Sequence, residues 1–350
     1  MTVTELASRV EVAKLAHELS VDEGSLAFLY DRTPDQLRDL RGIVSTALFT
    51  RHEDRVKRLA SLSKSLPHGI TAKIAQIALG PTLSARVAAV MDPADAVRLA
   101  KQLDPAFLTD VSEALDPERV QGIVSGLPQD LIVDVGKRLL ERGRHLTLGR
   151  FVSVVSLDAA LGVVAAADAD DLLQVAVFTE EPSALEAVVR RLDDTRLAAV
   201  IHAAVAKDAY DDAVILLMSL SLDSRRRLVT QLDDVATESR DALVAAIARH
   251  DAWADLLPAL DMVDDEVLET LVNVPVTCDP DVFERVLAVV RELDLAQLAA
   301  RMLPTLDDAH RDTLSGSALL RQPDARDWLL AGAGDIRDQV ETILHELGIS

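Results

Sequence analysis

The 350-residue chain is poor in several residue types, and each shortage excludes a class of protein. Its single cysteine, Cys278, excludes an internal disulfide framework and favours a reducing compartment. Aromatic residues make up only 3% of the chain, too few for an aromatic-rich β-sandwich or for a platform that stacks nucleic-acid bases. The apolar runs are much shorter than the roughly 20 residues that a membrane-spanning helix needs. These shortages predict a cytoplasmic protein without a transmembrane segment.

Positive charge is also scarce relative to negative charge. The chain has 36 Lys and Arg against 58 Asp and Glu, a formal net charge of −22. Such a chain would repel phosphate, so we expect no nucleic-acid partner; the acidity favours basic protein segments or divalent metal ions instead. Residues 51–86 are the exception, with seven Lys and Arg, among them Lys64, Lys73 and Arg86, against two acids. This basic segment has two interpretations. It contacts an anionic lipid surface or ligand, with Lys73 as a candidate contact, or its cations pair with the acidic remainder of the chain.

A 12-residue rhythm dominates the middle of the chain. Asp92-Pro93, Asp104-Pro105 and Asp116-Pro117 recur at this spacing, and Leu127-Pro128 occupies the next position. Apolar residues follow each Asp at positions +4, +7 and +11, which lie on one face of an α-helix. Aspartate caps a helix N-terminus and proline fits its first position. The rhythm therefore predicts helices of about nine residues, stable only when packed against neighbours.

From this pattern we predict an all-α chain whose short antiparallel helices form a right-handed superhelix, an α-solenoid. Residues 1–90 form an N-terminal region of longer helices, and Thr33 with Gln36 forms a capping box that opens a helix reaching about Leu62. Residues 91–350 form the repeat superhelix, with regular repeats over 92–140 and degenerate repeats onward.

The run from Met91 to Arg119, with Leu-Asp-Pro at both Leu103-Asp104-Pro105 and Leu115-Asp116-Pro117, resembles the N-terminal cytosolic domain of MgtE-type magnesium transporters. The resemblance covers residues 88–140, with a weaker echo to about residue 310. It implies a superhelical stack of short helices and a magnesium-responsive module. The sequence shows no counterpart of the regulatory and membrane domains of those transporters, so we expect the scaffold to be shared and the transport activity not to be.

The sequence contains no recognisable catalytic motif. A phosphate-binding loop, a dinucleotide fingerprint, a nucleophile elbow and zinc-ligand spacing are all missing, and no residue near Cys278 in the sequence supports a nucleophilic role. Acidic pairs such as Asp193-Asp194 and Asp307-Asp308 could bind a divalent cation or cap helices. Their position directly after apolar helix ends favours caps. We therefore expect no enzyme, no cofactor and no metal site.

The segment from Arg142 to Phe151 interrupts the rhythm. It carries three cations and two glycines, which predicts a loop. Loops on rigid scaffolds often bind ligands, and we therefore take Arg144, His145 and Arg150 as candidate ligand-binding residues. The alternative is a plain connector that turns the superhelix.

Three functions remain open from the sequence. The first is a non-enzymatic scaffold that binds a protein partner through its superhelical surface. The second is a carrier of a hydrophobic small molecule or lipid in an apolar cavity, since the chain is rich in Ala, Val and Leu. The third is the Mg²⁺-responsive module that the resemblance implies.

Overall fold

The computed structural model of the chain describes residues 2–51, 53–63 and 66–349, and every regular element in these ranges is helical. The prediction of an all-α protein is therefore confirmed. Lys64, which the sequence places in the basic segment, lies outside the described residues.

The chain divides into two compact units. The N-terminal unit is Ala7–Arg191, and the C-terminal unit is Leu192–Ser350 together with the first six residues. Residues 7–191 contain 22 Lys and Arg against 26 Asp and Glu, a net charge of −4. Most of the acidity of the chain therefore belongs to the C-terminal unit.

The helices up to residue 191 are mostly short. They are α1 (Val3–Leu19), α2 (Pro34–Thr50), α3 (Glu53–Ser63), α4 (His68–Ile74), α5 (Gly80–Ala88), α6 (Pro93–Ala100), α7 (Pro105–Glu113), α8 (Pro117–Val124), α9 (Gln129–Glu141), α10 (His145–Phe151), α11 (Leu157–Val164), α12 (Ala169–Val177) and α13 (Pro182–Val189). A 3₁₀ helix covers Glu23–Leu29, and a π-helical turn, Ala75–Leu79, continues α4.

The helices after residue 191 are similar in length. They are α14 (Asp194–Ala206), α15 (Tyr210–Met218), α16 (Leu222–Thr230), α17 (Thr237–His250), α18 (Trp253–Leu260), α19 (Asp265–Val272), α20 (Pro280–Glu292), α21 (Ala296–Thr305), α22 (Asp308–Ser315), α23 (Ala325–Gly332) and α24 (Arg337–Glu346). Two further 3₁₀ turns cover Pro275–Cys278 and Gly334–Ile336.

The predicted caps of the 12-residue rhythm are confirmed. The Asp92 carboxylate accepts hydrogen bonds from the amides of Ala94 and Asp95, and Asp104 and Asp116 each accept one at the start of α7 and α8. Proline follows each cap at the first helical position. In the fourth unit, Pro128 offers no side-chain cap, and α9 runs for 13 residues rather than about nine.

Two of the acidic pairs further along the chain also cap helices, whereas Asp211-Asp212 and Asp233-Asp234 do not, because α15 and α17 begin without a side-chain cap. Asp193 accepts a hydrogen bond from the amide of Arg196, and Asp307 accepts one from the amide of His310. This confirms the interpretation of both pairs as N-terminal caps, because their carboxylates are occupied by the first turn of α14 and α22.

The capping box of Thr33 and Gln36 is present at the start of α2, but the long helix expected to follow it is not. α2 ends at Thr50, and α3 begins as a separate helix at Glu53. Val56 and Ala60 of α3 pack against Val87 of α5. Tertiary packing of this apolar face therefore outweighs the continuous helical periodicity of the sequence.

Within the N-terminal unit, helices pack against their next-but-one neighbours. One row runs α3, α5, α7, α9, α11 and α13, and a second runs α4, α6 and α8, with α10 packed against α12. Glycines bring α9 and α11 close together. Gly136 faces Val163, and Gly162 faces Val133, so each glycine receives a valine of the other helix.

The C-terminal unit contains a second, longer repeat that is evident from the helix boundaries. The helices α14, α17 and α20 begin at residues 194, 237 and 280, which are 43 residues apart. The same spacing relates α15, α18 and α21, and likewise α16, α19 and α22. The residues Asp208, Asp251 and Asp294 precede the second helix of each copy in the left-handed conformation. Aspartate tolerates this conformation better than most residues do.

Arginines connect successive copies of this three-helix repeat. Arg225 of α16 lies 2.8 Å from the Asp255 carboxylate of α18. Arg301 of α21 contacts Asp265 at the start of α19 and donates to the carbonyl oxygens of Asp261 and Val263. These bonds satisfy carbonyls at a helix end, so they fix the position of one copy against the next.

Candidate functional site: an arginine-lined cleft in the N-terminal unit

A cleft of about 680 Å³ opens among α1, α2, α5, α7, α8 and α10. Ligand sites commonly have volumes of this size. Five arginines contribute to its lining: Arg86, Arg119, Arg142, Arg144 and Arg150. Four carboxylates also line it: Glu18, Asp110, Glu113 and Asp116. The cleft is therefore richer in guanidinium groups than in carboxylates, although the chain as a whole is strongly acidic.

One pair of arginines surrounds Glu113 of α7. Arg142 approaches Glu113 at 3.3 Å and Asp110 at 2.5 Å, and Arg144 approaches Glu113 at 3.0 Å. The Arg144 side chain is 53% exposed, and that of Arg142 is 35% exposed. Ion pairs this accessible to water contribute little stability, so these guanidinium groups can exchange one carboxylate for another at small cost.

A second pair of arginines surrounds Asp116, the residue that caps α8. Arg119 lies 3.1 Å from one Asp116 oxygen, and Arg150 lies 4.0 Å from the other. The Ser45 hydroxyl donates to Asp116 at 2.9 Å. The Arg119 guanidinium also stacks 4.2 Å from the ring centre of Phe49, a cation–π contact. Asp116 thus holds both arginines in place while it caps its helix.

A line of alternating charges leads from this pair into the protein. Arg150 lies 3.4 Å from Glu180, Glu180 lies 2.7 Å from Arg41, and Arg41 lies 3.5 Å from Glu11 on α1. Glu11 in turn lies 3.2 Å from Lys14. Burying so many charges costs free energy unless each has a partner, and this alternation supplies the partners.

Arg150 retains unused hydrogen-bonding capacity. Its side chain is 11% exposed, and its buried Nε has no hydrogen-bond acceptor among the described residues. The Glu180 oxygen is within ion-pair distance of Nε but is not aligned with the N–H bond. The buried Glu18 Oε2 likewise has no donor among the described residues. A polar group left unsatisfied in this way indicates a position where a ligand or water can bind.

The cleft also changes the acidity of two residues on α1. Burial raises the pKa of the Glu18 carboxyl, and the nearby Ser45 hydroxyl opposes this change. Desolvation lowers the pKa of His17, and the nearby Arg150 lowers it further. The His17 ring reaches solvent through the open cleft, but the surrounding protein still removes much of its hydration. Both pKa shifts favour the neutral form of the side chain.

No family model, curated protein or solved structure matches this chain.

Of the four residues that the sequence nominated, the structure places two in the cleft. Arg144 and Arg150 line it, together with their neighbour Arg142. His145 does not; its Nε2 lies 2.7 Å from Asp171, at the start of α12. Lys73 is exposed on α4 and does not line the cleft either.

The prediction of a loop from Arg142 to Phe151 is wrong from His145 onward. Only residues 142–144 connect α9 to α10, and Arg150 lies in the last turn of α10. The short helix forms because Thr147, Leu148 and Gly149 are buried. Arg150 is therefore held by a packed helix, which makes its position better defined than a loop would.

Sequence reasoning missed the cleft because its residues come from distant segments. Arg86 belongs to the basic segment, and Arg119 lies three residues after the cap Asp116. Asp110 and Glu113 are half-buried positions of α7 with no distinctive sequence pattern. Only the three-dimensional stacking of α5, α7, α8 and α10 brings them together. The one available signal was that the basic segment and the 142–150 segment flank the regular repeats.

A second polar cluster lies in the C-terminal unit, around the single cysteine. The Cys278 sulfur lies 3.3 Å from His310 Nε2, and His310 Nδ1 lies 2.6 Å from Asp307. The Thr277 hydroxyl lies 3.0 Å from the same Nε2. However, burial raises the pKa of the Cys278 thiol, and Asp307 and Asp241 raise it further. Since the thiolate is the nucleophilic form, these surroundings favour a structural role for the cluster.

The structure describes no cluster of three or more His, Cys, Asp or Glu side chains that could hold a metal ion. Within the same described part of the chain, no helix is both long and apolar enough to cross a membrane.

Proposed function

We propose that this chain is a non-enzymatic helical-repeat binding protein, and that the arginine-lined cleft of its N-terminal unit binds an acidic segment of a protein partner. The observation that carries the proposal is the arrangement of the arginines in two separate pairs, around Glu113 and around Asp116. Guanidinium groups bind carboxylates through paired N–H donors.

The repeat architecture supports a binding surface. We propose that the helices of each unit form a stretch of α-solenoid. Next-but-one packing supports this in the N-terminal unit, and the 43-residue recurrence supports it in the C-terminal unit. A period of about 40–47 residues is typical of solenoid arrays, which use extended surfaces to hold partners. The right-handed sense of the superhelix stays a prediction.

The spacing of the charges favours an extended ligand over a compact one. A single phosphate group would be bound best by several arginines that converge on one point. Here each arginine pair faces its own carboxylate, so a ligand with several carboxylates in sequence can meet both pairs. The Asp110 and Glu113 side chains are 44% and 23% exposed, so water already solvates them in part and a carboxylate of the ligand can displace them. The charged lining does not favour an apolar small molecule.

The proposal can be tested by fluorescence anisotropy with a labelled oligoglutamate peptide and with labelled ATP as the phosphate probe. We expect the wild-type protein to bind the peptide, and added salt to weaken the binding. The double variant Arg142→Gln/Arg144→Gln should bind at least about tenfold more weakly, since a charge-assisted hydrogen bond contributes about 1.5–3 kcal/mol.

The matched control is Arg98→Gln/Arg138→Gln. Both arginines form helical ion pairs with side chains 40% or more exposed, and neither lines the cleft. This control also removes two positive charges, but it should keep the wild-type affinity for the peptide. The proposal fails if the peptide does not bind, if the control loses as much affinity, or if only ATP binds.

A further inference from the structure

Several exposed apolar side chains occur near the end of α3 and along α4. We call this group the tip patch, and it consists of Leu62, Leu66, Ile70, Ile74 and Ile77. Their exposed fractions range from 40% for Leu66 and Ile74 to 85% for Ile77. An isoleucine exposed to this extent is unfavourable in water, so five aliphatic side chains that are each 40% or more exposed, all within residues 62–77, point to an interaction surface.

The three isoleucines lie along one side of a single helical segment. They occupy positions i, i+4 and i+7 of α4 and the π-helical turn that continues it, which places them on the same face over about 10 Å. The opposite face packs inward through Ala72 and Ala75, which are 2% and 4% exposed. The segment is therefore amphipathic, and its apolar face points to solvent.

The charge around the tip patch is opposite to that of the chain. No Asp or Glu occurs between residues 55 and 91, although the whole chain has 58 of them. Arg55, Lys57 and Arg58 on α3 and Lys73 on α4 are all exposed. Lys57 pairs with Glu53 at 2.7 Å. Arg58 lies four residues before Leu62, and Lys73 lies four residues before Ile77. Each of these two cations therefore shares a helix face with an apolar residue of the patch.

We propose that the tip patch docks the protein on an anionic lipid membrane, with the isoleucines and leucines inserted at the headgroup level and with Arg55, Arg58 and Lys73 against lipid phosphates. Charge complementarity requires an anionic occupant. The shape favours lipid over an acidic protein segment, because residues 66–70 are exposed one after another and so project outward. Projecting aliphatic side chains need no complementary groove to enter a bilayer, and cations beside them add electrostatic attraction.

The test is vesicle flotation with the full chain. Vesicles of phosphatidylcholine alone are compared with vesicles that contain about one third phosphatidylglycerol. We expect binding to the anionic vesicles only, and a decrease in binding as salt is added. The variant Ile70→Ser/Ile77→Ser should bind at least about tenfold more weakly, and Arg58→Gln/Lys73→Gln should weaken binding by a similar factor. Both variants change exposed side chains, so circular dichroism should show an unchanged fold.

The matched control is Phe28→Ser/Ile43→Ser. Phe28 and Ile43 are 72% and 67% exposed, and they lie outside the tip patch. This control should bind anionic vesicles like the wild type. In addition, a tryptophan introduced by Ile77→Trp should shift its emission to shorter wavelength when anionic vesicles are added.

Three results would overturn the proposal. The first is an absence of binding to anionic vesicles, which would leave an acidic protein as the occupant of the patch. The second is an equal loss of binding in the control variant. The third is binding that depends on the cations but not on the isoleucines, with no shift in tryptophan emission, because it would show surface attraction without insertion.

Discussion

The contact between α10 and α12 predicts that Gly149→Ala destabilises the N-terminal unit. A Cβ atom at Gly149 would lie 2.7 Å from the carbonyl carbon of Phe178 and 2.8 Å from the carbonyl oxygen of Val175. Non-bonded carbon atoms prefer about 3.5–4.0 Å. Because the obstructing atoms belong to the backbone, the two helices would have to move apart by roughly 1 Å.

The expected magnitude follows from two opposing terms. Overpacking in a well-packed contact costs about 1–3 kcal/mol. Replacing a helical glycine with alanine gains about 0.8–1 kcal/mol. The difference of these terms spans about 0–2 kcal/mol. Because the obstructing atoms are backbone atoms that cannot rotate away, we expect a loss in the free energy of unfolding toward the upper end, about 1–2 kcal/mol. Since α10 carries Arg150, we also expect weaker binding of the oligoglutamate peptide.

Two other glycines provide internal controls. A Cβ at Gly122 would lie 3.5 Å from the Pro93 ring, an ordinary contact, so Gly122→Ala should stabilise the protein by up to about 1 kcal/mol. A Cβ at Gly162 would lie 2.7 Å from a methyl group of Val133, which can rotate away. Gly162→Ala should therefore fall between the other two variants.

The assay is urea denaturation followed by far-ultraviolet circular dichroism, with hydrogen exchange of α10 and α12 measured by mass spectrometry. In Gly149→Ala the exchange should rise in these two helices and not in the C-terminal unit. The reasoning is refuted if Gly149→Ala is as stable as the wild type, or if Gly122→Ala loses as much stability as Gly149→Ala does.

Three further predictions follow from other contacts. His310→Ala should lower the free energy of unfolding by about 2–3 kcal/mol, because it removes a buried ring, 2% exposed, together with its hydrogen bond to Asp307. A chemical denaturation curve like that of the wild type would contradict this. Arg301→Met should cost about 1–2 kcal/mol and increase hydrogen exchange at the end of α18, where the guanidinium binds backbone carbonyls, and unchanged exchange there would contradict the role of these bonds. The pKa of His17 is lowered from its usual 6.5, so the folded protein binds this proton less readily than the unfolded chain does. Stability should therefore fall as the pH decreases below 6.5, and His17→Gln should lose less stability than the wild type over that range; equal changes in the urea midpoint would show that His17 is not desolvated.

Local patterns in the sequence predicted much of the secondary structure. The caps at Asp92, Asp104 and Asp116 could be located because an aspartate followed by proline satisfies the first amides of a helix through short-range bonds alone. The same local chemistry predicted the capping box at Thr33. The end of α2 could not be predicted, because it depends on where α3 packs against α5.

The 43-residue repeat illustrates a different limit. Its copies share little besides Asp208, Asp251 and Asp294, and buried leucines such as Leu228, Leu271 and Leu314, which are too few to stand out among so many leucines and aspartates. The repeat is evident once helix boundaries are known, because packing tolerates many apolar substitutions at positions whose geometry is conserved between copies.

By itself, the sequence determined the helical class, the N-terminal caps of the short helices and the two segments where cations gather. These features depend on neighbouring residues, whose interactions are fixed by chain connectivity. Only the tertiary structure decided that Arg144 and Arg150 share a cleft with Arg86 and Arg119, that His145 is engaged elsewhere, and that the isoleucines of α4 face outward. Those outcomes depend on which helices stack together, and stacking is set by apolar faces that pair across long separations in the chain.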